Sequence, residues 1–311
     1  MVPEKPLLSP WHRVAAGDDA LLLELGGECV TFEGRAATLL LPALLPLLDG
    51  TRDLADLASA LELHDTTPVH AALELLDAHG LLSSGRALDD VPAPFAQAAG
   101  LHAMLLGTAP RDERARLAAT TIDVVGESTT AGEIARLVVA SGVGEVARTD
   151  WRHPGSGALA IVAPAAGEMP LLAEWNRRAL AARKEWLQVL PWDGAIAVVG
   201  PSFVPGDTCC HECYVRRRRS HVEYGDRYDV LDRAPVRAPS PPGLVSVVAG
   251  LAVLVALRRV LGDPLVAGAA VVLELGESVR LGVHPVPRVP RCPACSEAAR
   301  TALPLPWAEA S

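Results

Sequence analysis

The chain has 311 residues, half of them hydrophobic and 4% aromatic, with a formal net charge of −9. That length suits two domains with aliphatic cores, and the negative charge argues against nucleic acid as the main partner. Met1 to Pro10 lacks a signal peptide's basic start and apolar core, and the most apolar run, Leu244 to Leu257, is shorter than the roughly 20 residues that span a bilayer and is closed by Arg258 and Arg259, so the expectation is a soluble cytoplasmic protein with no membrane partner.

In chain order, Leu21 to Leu25 and Glu28 to Phe32 are short apolar runs around Gly26-Gly27, the pattern of a tight hairpin. Leu39, Leu40, Leu44, Leu47 and Leu48 recur at helical spacing up to Asp49-Gly50, with Pro42 and Pro46 predicting a bent or late-starting helix. Thr51 or Asp53 caps a second helix bearing Leu54, Leu57 and Leu61. A third begins after Thr66-Thr67-Pro68, carries Val69, Leu73 and Leu76, and stops at Gly80, with Leu81-Leu82 as a final short strand. Strands followed by three small helices make a winged-helix-like module over residues 1–90. Its acidic side chains, among them Asp18, Asp19, Glu24, Glu28, Glu33, Asp53 and Asp56, are the wrong sign for a phosphate backbone. The hairpin leaves an edge at Cys29 to Phe32 that either accepts an extended peptide as an added strand or is covered by the rest of the chain.

Asp89 to Pro94 is a polar, Pro-bearing connector that sets the boundary of a second domain, residues 91–311. Thr121 to Val125 is predicted as a buried strand, Gly126 as a turn, Ile134, Leu137 and Val138 as one face of a helix, and Glu145 to Thr149 as the next strand, ending at Asp150. This is the unit that opens a nucleotide-binding Rossmann-type sheet. Its turn, Gly126-Glu127-Ser128-Thr129-Thr130-Ala131-Gly132, keeps only the first glycine of Gly-x-Gly-x-x-Gly, and Glu127 adds a negative charge where phosphates sit, so ATP is not expected to bind. Further strands are expected at Ala158 to Val162, Leu187 to Leu190 and Ala195 to Val199, with a helix from Trp175 to Trp186 carrying Arg183 and Lys184 late in it. Arg216 to Arg219 form either an anion site or a solvated helix face. Tyr224 to Pro242 is predicted as an extended crossover loop, Leu244 to Leu261 as a buried helix, and Val271 to Val283 as a hairpin around Gly276-Glu277-Ser278.

Two Cys-x-x-Cys knuckles, Cys210 with Cys213 and Cys292 with Cys295, supply the four thiolates of a closed, structural zinc site. Cys209 is an alternative to Cys210 as ligand. With all four positions filled by protein, the metal clips the C-terminal segment onto the middle of the chain and leaves no place for substrate. His64, His70, His79, His211 and His221 form no catalytic set with a nucleophile, so no catalytic residue is assigned.

These residues carry a resemblance. Val124-Val125-Gly126, Ser141 to Gly144, Gly200-Pro201 and the paired knuckles resemble the ThiF-type adenylating fold, an α/β domain of Rossmann type with structural zinc. Leu47-Leu48-Asp49-Gly50-Thr51, with Leu54 and Leu57 after it, resembles the PqqD-like recognition elements of ribosomal natural-product pathways, an α+β winged-helix-like module. In this order the two are similar to the ocin-ThiF-like proteins of azole and thiopeptide biosynthesis. The resemblance implies a non-catalytic subunit that binds the leader of a precursor peptide and presents it to a YcaO-type cyclodehydratase. It places the leader along Cys29, Val30, Thr31 and Phe32 and against a helix wall of Val69, His70, Leu73, Glu74 and Asp77. The alternative it implies is an active adenylating enzyme acting on a peptide or carrier C-terminus. Homodimerisation is left open.

Overall fold

A computed structural model of the chain describes residues 1–232, 234 and 240–296. They divide into two compact units, Met1–Leu117 and a second from Ala118 onward.

In the first unit a short strand β1 (Pro6–Leu8) precedes β2 (Arg13–Ala16), β3 (Ala20–Leu25) and β4 (Glu28–Glu33), which form a three-stranded sheet in that order. The β3–β4 hairpin is the expected one. Leu25 faces Glu28 across Gly26 and Gly27, whose φ values of 61° and 92° suit a two-residue primed turn. Helix α1 (Ala36–Leu47) is irregular, with wide turns over Ala36–Leu40, one α turn over Leu41–Leu44 and a tight 3₁₀ turn over Leu45–Leu47. Pro42 and Pro46 each remove an amide donor from it. It holds because Ala37, Leu41, Leu44 and Leu45 are buried, and each large aliphatic side chain withdrawn from water contributes on the order of 1.5–3 kcal/mol.

Asp53 caps α2 (Leu54–Ala60) by accepting from the Ala55 and Asp56 amides, both at 2.9 Å. Helix α3 (Thr67–Ala78) begins where Asp65 accepts from the Thr67 amide (2.9 Å) and hydroxyl (2.7 Å). Strand β5 (Leu82–Ser84) returns antiparallel to β1, a pairing that hydropathy did not reveal because both are three residues long. Helices α4 (Ala93–Leu106) and α5 (Pro110–Ala118) follow. Leu21, Leu23 and Phe32 of the sheet meet Leu44, Leu57, Val69, Leu73 and Leu76 of the first three helices in one core.

The second unit is an α/β fold around a seven-stranded mixed sheet. Its elements run β6 (Thr121–Val125), α6 (Thr129–Ala140), β7 (Glu145–Thr149), β8 (Leu159–Val162), α7 (Leu171–Ala181), β9 (Trp186–Leu190), β10 (Ile196–Phe203), α8 (His211–His221), α9 (Tyr228–Asp232), α10 (Pro242–Val260), β11 (Ala269–Leu275) and β12 (Val279–Pro285). The strand order is β12-β11-β10-β9-β8-β6-β7, with β7, β6, β8 and β9 parallel and the rest antiparallel. β6 pairs with β7 on one side and β8 on the other, so the chain reverses its direction of travel there. That reversal opens a crevice beyond the carboxyl ends of β6 and β8.

Several expectations are corrected. The helix predicted from Trp175 to Trp186 is α7, which starts at Leu171 and ends at Ala181, while Trp186 opens β9. Lys184 lies beyond the helix, buried against Asp123, so it does not complement the helix dipole. Gly200-Pro201 does not end its strand. β10 runs on to Phe203 through a cis Gly200-Pro201 bond and a register shift between Val199 and Ser202. Part of the loop expected from Tyr224 to Pro242 is helical (Gly225–Arg227 and α9), and its residues 233 and 235–239 lie outside the described residues.

Helix α10, 19 residues, is long and apolar enough to cross a membrane, but it packs on α6, β8, β9 and β10 with Leu244, Ala249, Ala252 and Ala256 buried. It is not buried all round, since Val247 and Leu254 are exposed.

Candidate functional site

The two knuckles converge. The sulfurs of Cys210, Cys213, Cys292 and Cys295 all lie within 4.8 Å of one another, with Cys210 to Cys213 at 3.9 Å, Cys210 to Cys292 at 3.8 Å and Cys213 to Cys295 at 3.6 Å. A tetrahedron with zinc–sulfur bonds of about 2.3 Å has edges of about 3.8 Å, whereas a disulfide brings two sulfurs to about 2.05 Å. The cluster is consistent with a zinc site. Cys209 is buried but outside it, so Cys210 takes the place that the sequence left open between the two.

Hydrogen bonds preset the donors. Cys213 sulfur accepts from the Val289 amide at 3.3 Å and from Cys210, and the Cys210 bond chiefly holds its pKa down at about 4. Burial pushes Cys209 up to about 12 and Cys295 up to about 11. The bond from Cys210 and the Val289 amide both favour the thiolate form of Cys213, the form that binds metal.

The first knuckle opens α8, whose start is anchored from α7 and from the sheet. The His211 amide donates to Asn176 Oδ1 (3.1 Å), and its ring Nδ1 lies 2.7 Å from Gln188 Oε1, while Gln188 Nε2 donates to the Gly200 carbonyl (3.0 Å). Burial lowers the His211 pKa to about 4, so the imidazole is neutral and structural. Arg217 ties α8 to the second knuckle, donating to the Pro287 (2.6 Å) and Arg288 (3.0 Å) carbonyls. Arg216 pairs with Glu212 at 2.6 Å and Arg218 with Asp193 at 3.1 Å, so much of the basic run is taken up inside the unit.

The turn after β6 lies at the crevice. Gly126 adopts φ 110°, and a Cβ there would sit 2.2 Å from the Ala163 carbonyl oxygen, so only glycine fits between β6 and β8. Ser128 accepts from the Ala131 amide (3.0 Å) and donates to the Ala163 carbonyl (2.7 Å), capping α6. The Glu168 carboxylate accepts from the Glu127 amide (2.9 Å), the Ala165 amide (2.8 Å) and the Trp151 indole (2.8 Å). Burial works to raise the Glu168 pKa, but these bonds outweigh it and leave it lowered. Asp150 caps its own loop, accepting from the Arg152 and His153 amides. Beside the turn is a cavity of about 300 Å³ lined by Glu127, Ser128, Thr129 and Thr130.

In the first unit, β4 is the outer strand of its sheet. The Gly17 amide donates to the Ala20 carbonyl (2.7 Å), which fixes the alternation of the ladder: Ala20, Leu22 and Glu24 bond to β2, and Leu21, Leu23 and Leu25 bond to β4. The backbone groups of Glu28, Val30 and Phe32 therefore point into the sheet, and those of Cys29, Thr31 and Glu33 point outward. Among the described residues no strand pairs with that edge, which has the geometry to accept an added strand. Cys29 and Thr31 are exposed, Val30 is half-buried and Phe32 is core.

On α3, Val69 and Leu73 are core, His70 and Glu74 are exposed and 3.6 Å apart, and half-buried Asp77 pairs with the N-terminal amine at 2.9 Å. Phe32 meets His79 edge-on at 5.5 Å, bringing β4 against the end of α3.

Sequence reading missed Glu168, the contact of His79 with Phe32 and the buried Asp123–Lys184 pair. Glu168 had a partial signal in its place three residues after Ala165, the spacing of a capping glutamate. The other two depend on long-range contacts that leave no local pattern.

No family model matches the sequence, and no curated protein matches it. Solved structures do. A heterocyclase in complex with substrate and cofactor superposes with a TM-score of 0.73 at 20% identity, covering 96% of this chain and 41% of its own. The heterocyclase TruD gives 0.72 at 21%, covering 97% and 45%. The microcin C7 biosynthetic enzyme MccB in complex with N-formylated MccA gives 0.65 at 14%, covering 94% and 99%; the E. coli enzyme with ATP gives 0.66 at 14%. The chain thus shares its fold with MccB almost end to end and spans less than half the length of the heterocyclases.

Proposed function

We propose that this chain is a non-catalytic leader-peptide-binding subunit of azole-forming biosynthesis. In this reading residues 1–90 are a PqqD-like recognition element of winged-helix type, and residues 91–311 are a ThiF-like domain stabilised by one structural zinc on Cys210, Cys213, Cys292 and Cys295. The leader of a ribosomally made precursor adds as a strand to β4. A YcaO-type cyclodehydratase then closes the azolines.

The observation that carries the reading is the outward set of backbone groups at Cys29, Thr31 and Glu33, on a strand whose Phe32 meets His79 just past α3, the helix on which His70, Glu74 and Asp77 present polar groups. Main-chain bonds at such an edge supply affinity whatever the leader's side chains, and the polar wall selects among leaders. Val69 and Leu73 support that wall from behind, since the core already occupies them.

Thr31→Pro tests it. Its amide faces outward, so proline removes a donor from the edge and leaves the β3–β4 ladder intact. Fluorescence anisotropy of a labelled cognate leader on the full chain should show affinity about tenfold weaker or worse, with an unchanged melting temperature. Equal affinity would refute the edge as the binding site.

That the second unit is catalytically silent is supported by Glu168. Its carboxylate takes up the Glu127 amide, a donor that a nucleotide phosphate uses in such turns, and it adds negative charge beside Glu127. The likeness to MccB, solved with ATP, favours the rival reading of an adenylating enzyme. ATP–pyrophosphate exchange by the chain separates the two: none is expected above background, and measurable exchange overturns the silent reading.

A structural role for Glu168 has its own signature. Because its pKa is lowered by folding, its stabilisation is complete above its ordinary value of 4.5 and is lost as pH falls through the folded-state value. Glu168→Ala should cost about 1–3 kcal/mol in urea unfolding at neutral pH, and the two proteins should converge in acid. A difference independent of pH would refute the charge-assisted bonds.

A further inference from the structure

We propose that the groove beside the second cysteine knuckle is a docking site for a carboxylate-bearing peptide segment of a partner polypeptide. It lies in the second unit, has a volume of about 560 Å³, and is lined by Arg177, Arg183 and Arg288 around an apolar floor that includes Leu180, Pro205 and Ala294. Among the described residues, no aspartate or glutamate lines it.

Arg183 is the telling residue. It sits just past the end of α7, where its amide bonds to the Leu180 carbonyl (3.2 Å) and the Lys184 amide to the Ala179 carbonyl (2.8 Å). This is the Schellman ending, whose first residue beyond the cap is normally glycine because it must be left-handed. Arg183 adopts φ 52° there, a conformation unfavourable for a residue with a Cβ. The strained backbone holds a guanidinium with no hydrogen-bond or ion-pair partner among the described residues. An atom built as Cβ on Gly206 would lie 3.6 Å from Arg183 Nη2, and Arg288 donates to the Gly206 carbonyl at 2.9 Å. Two like charges therefore converge on one glycine. Arg177 has a carboxylate, Glu174, but Arg178 shares it.

A basic groove on a chain of net charge −9 stands out from the protein's own field, and a carboxylate entering it relieves the repulsion between guanidinium groups. The apolar floor and the volume suit a peptide with alternating acidic and aliphatic residues better than a small anion. The proposal does not depend on β4, which lies in the other unit.

The test uses the full zinc-loaded chain and a fluorescein-labelled octapeptide alternating Glu and Leu, with a Lys–Leu octapeptide as control. The wild type should bind the acidic peptide, more weakly as salt rises, and ignore the basic one. Arg183→Gly should weaken binding at least about tenfold while keeping or raising the melting temperature, since glycine is at home at that φ. Arg177→Gln should weaken it less, and Thr31→Pro should leave it unchanged. Absence of binding to the wild type, or equal binding by Arg183→Gly, overturns the site. Complete displacement of the peptide by equimolar pyrophosphate shows a small-anion site and overturns the peptide assignment. A dimer that Arg183→Gly dissociates shows a second copy of the chain as the occupant and overturns the partner.

Discussion

Cys292→Ala should empty the metal site and unfold the second unit. Cys292 is fully buried, and its sulfur is 3.8 Å from that of Cys210, 82 positions earlier in the chain. Removing one thiolate leaves three ligands and breaks the closure between the end of β12 and the start of α8. Structural zinc in small peptides contributes about 10–16 kcal/mol, against a total stability of about 5–15 kcal/mol for an ordinary domain. Even a fraction of the metal's contribution therefore decides whether the unit is folded. Elemental analysis of purified protein should fall from about one zinc per chain to none, with loss of the near-ultraviolet dichroism of Trp175 and Trp186. Cys209→Ala is the control: that thiol lies outside the cluster, so it should keep its zinc. Unchanged metal content in Cys292→Ala would refute the quartet.

Lys184→Met should be the most damaging change away from the cysteines. Asp123, 1% exposed, projects from the middle of β6, and its Oδ2 accepts from Lys184 Nζ at 2.6 Å and from the Gly157 amide at 2.9 Å. Lys184 also donates to the Gly157 carbonyl. The pair fits because Gly155 and Gly157 leave room: a Cβ on Gly155 would fall 2.3 Å from the Asp123 carboxyl carbon. Methionine matches lysine in length but leaves the carboxylate buried with no counter-charge, which costs about 3–5 kcal/mol. Replacing both, as Asp123→Leu with Lys184→Met, removes the charge along with its partner and should recover most of that loss. Urea unfolding of the two single variants and the double variant measures the coupling. A loss below about 1 kcal/mol in Lys184→Met would show that the pair is unimportant.

Much of the fold was legible because it is locally encoded. The Gly26-Gly27 turn between apolar runs can only close a tight hairpin, and a cap at Thr51 or Asp53 before Leu54 marks a helix start, with the structure choosing Asp53. Thr121 to Val125 before Gly126 reads as a buried strand wherever it is placed. Where two local signals compete, the reading slipped. The apolar pattern joined Trp175 to Trp186 as one helix because both tryptophans are core, although Trp175 packs from a helix and Trp186 from a strand, with ring centroids 6.4 Å apart. The expected strand stops at Val199, but the pairing of β10 with β9 carries the chain on through Gly200-Pro201 to Phe203.

By itself the amino-acid sequence determined two kinds of feature: short elements whose periodicity and caps lie within a few residues, and the two cysteine knuckles, because Cys-x-x-Cys spacing places two thiols on one tight turn whatever surrounds it. Tertiary structure alone decided which thiol of the adjacent pair joins the cluster, which amides of β4 face outward, and what Glu168, Lys184 and Arg183 do. The physical reason is the same in each case. Ladder alternation, ion pairing and charge convergence depend on groups brought together from distant parts of the chain, and their energies appear only once the backbone has closed around them.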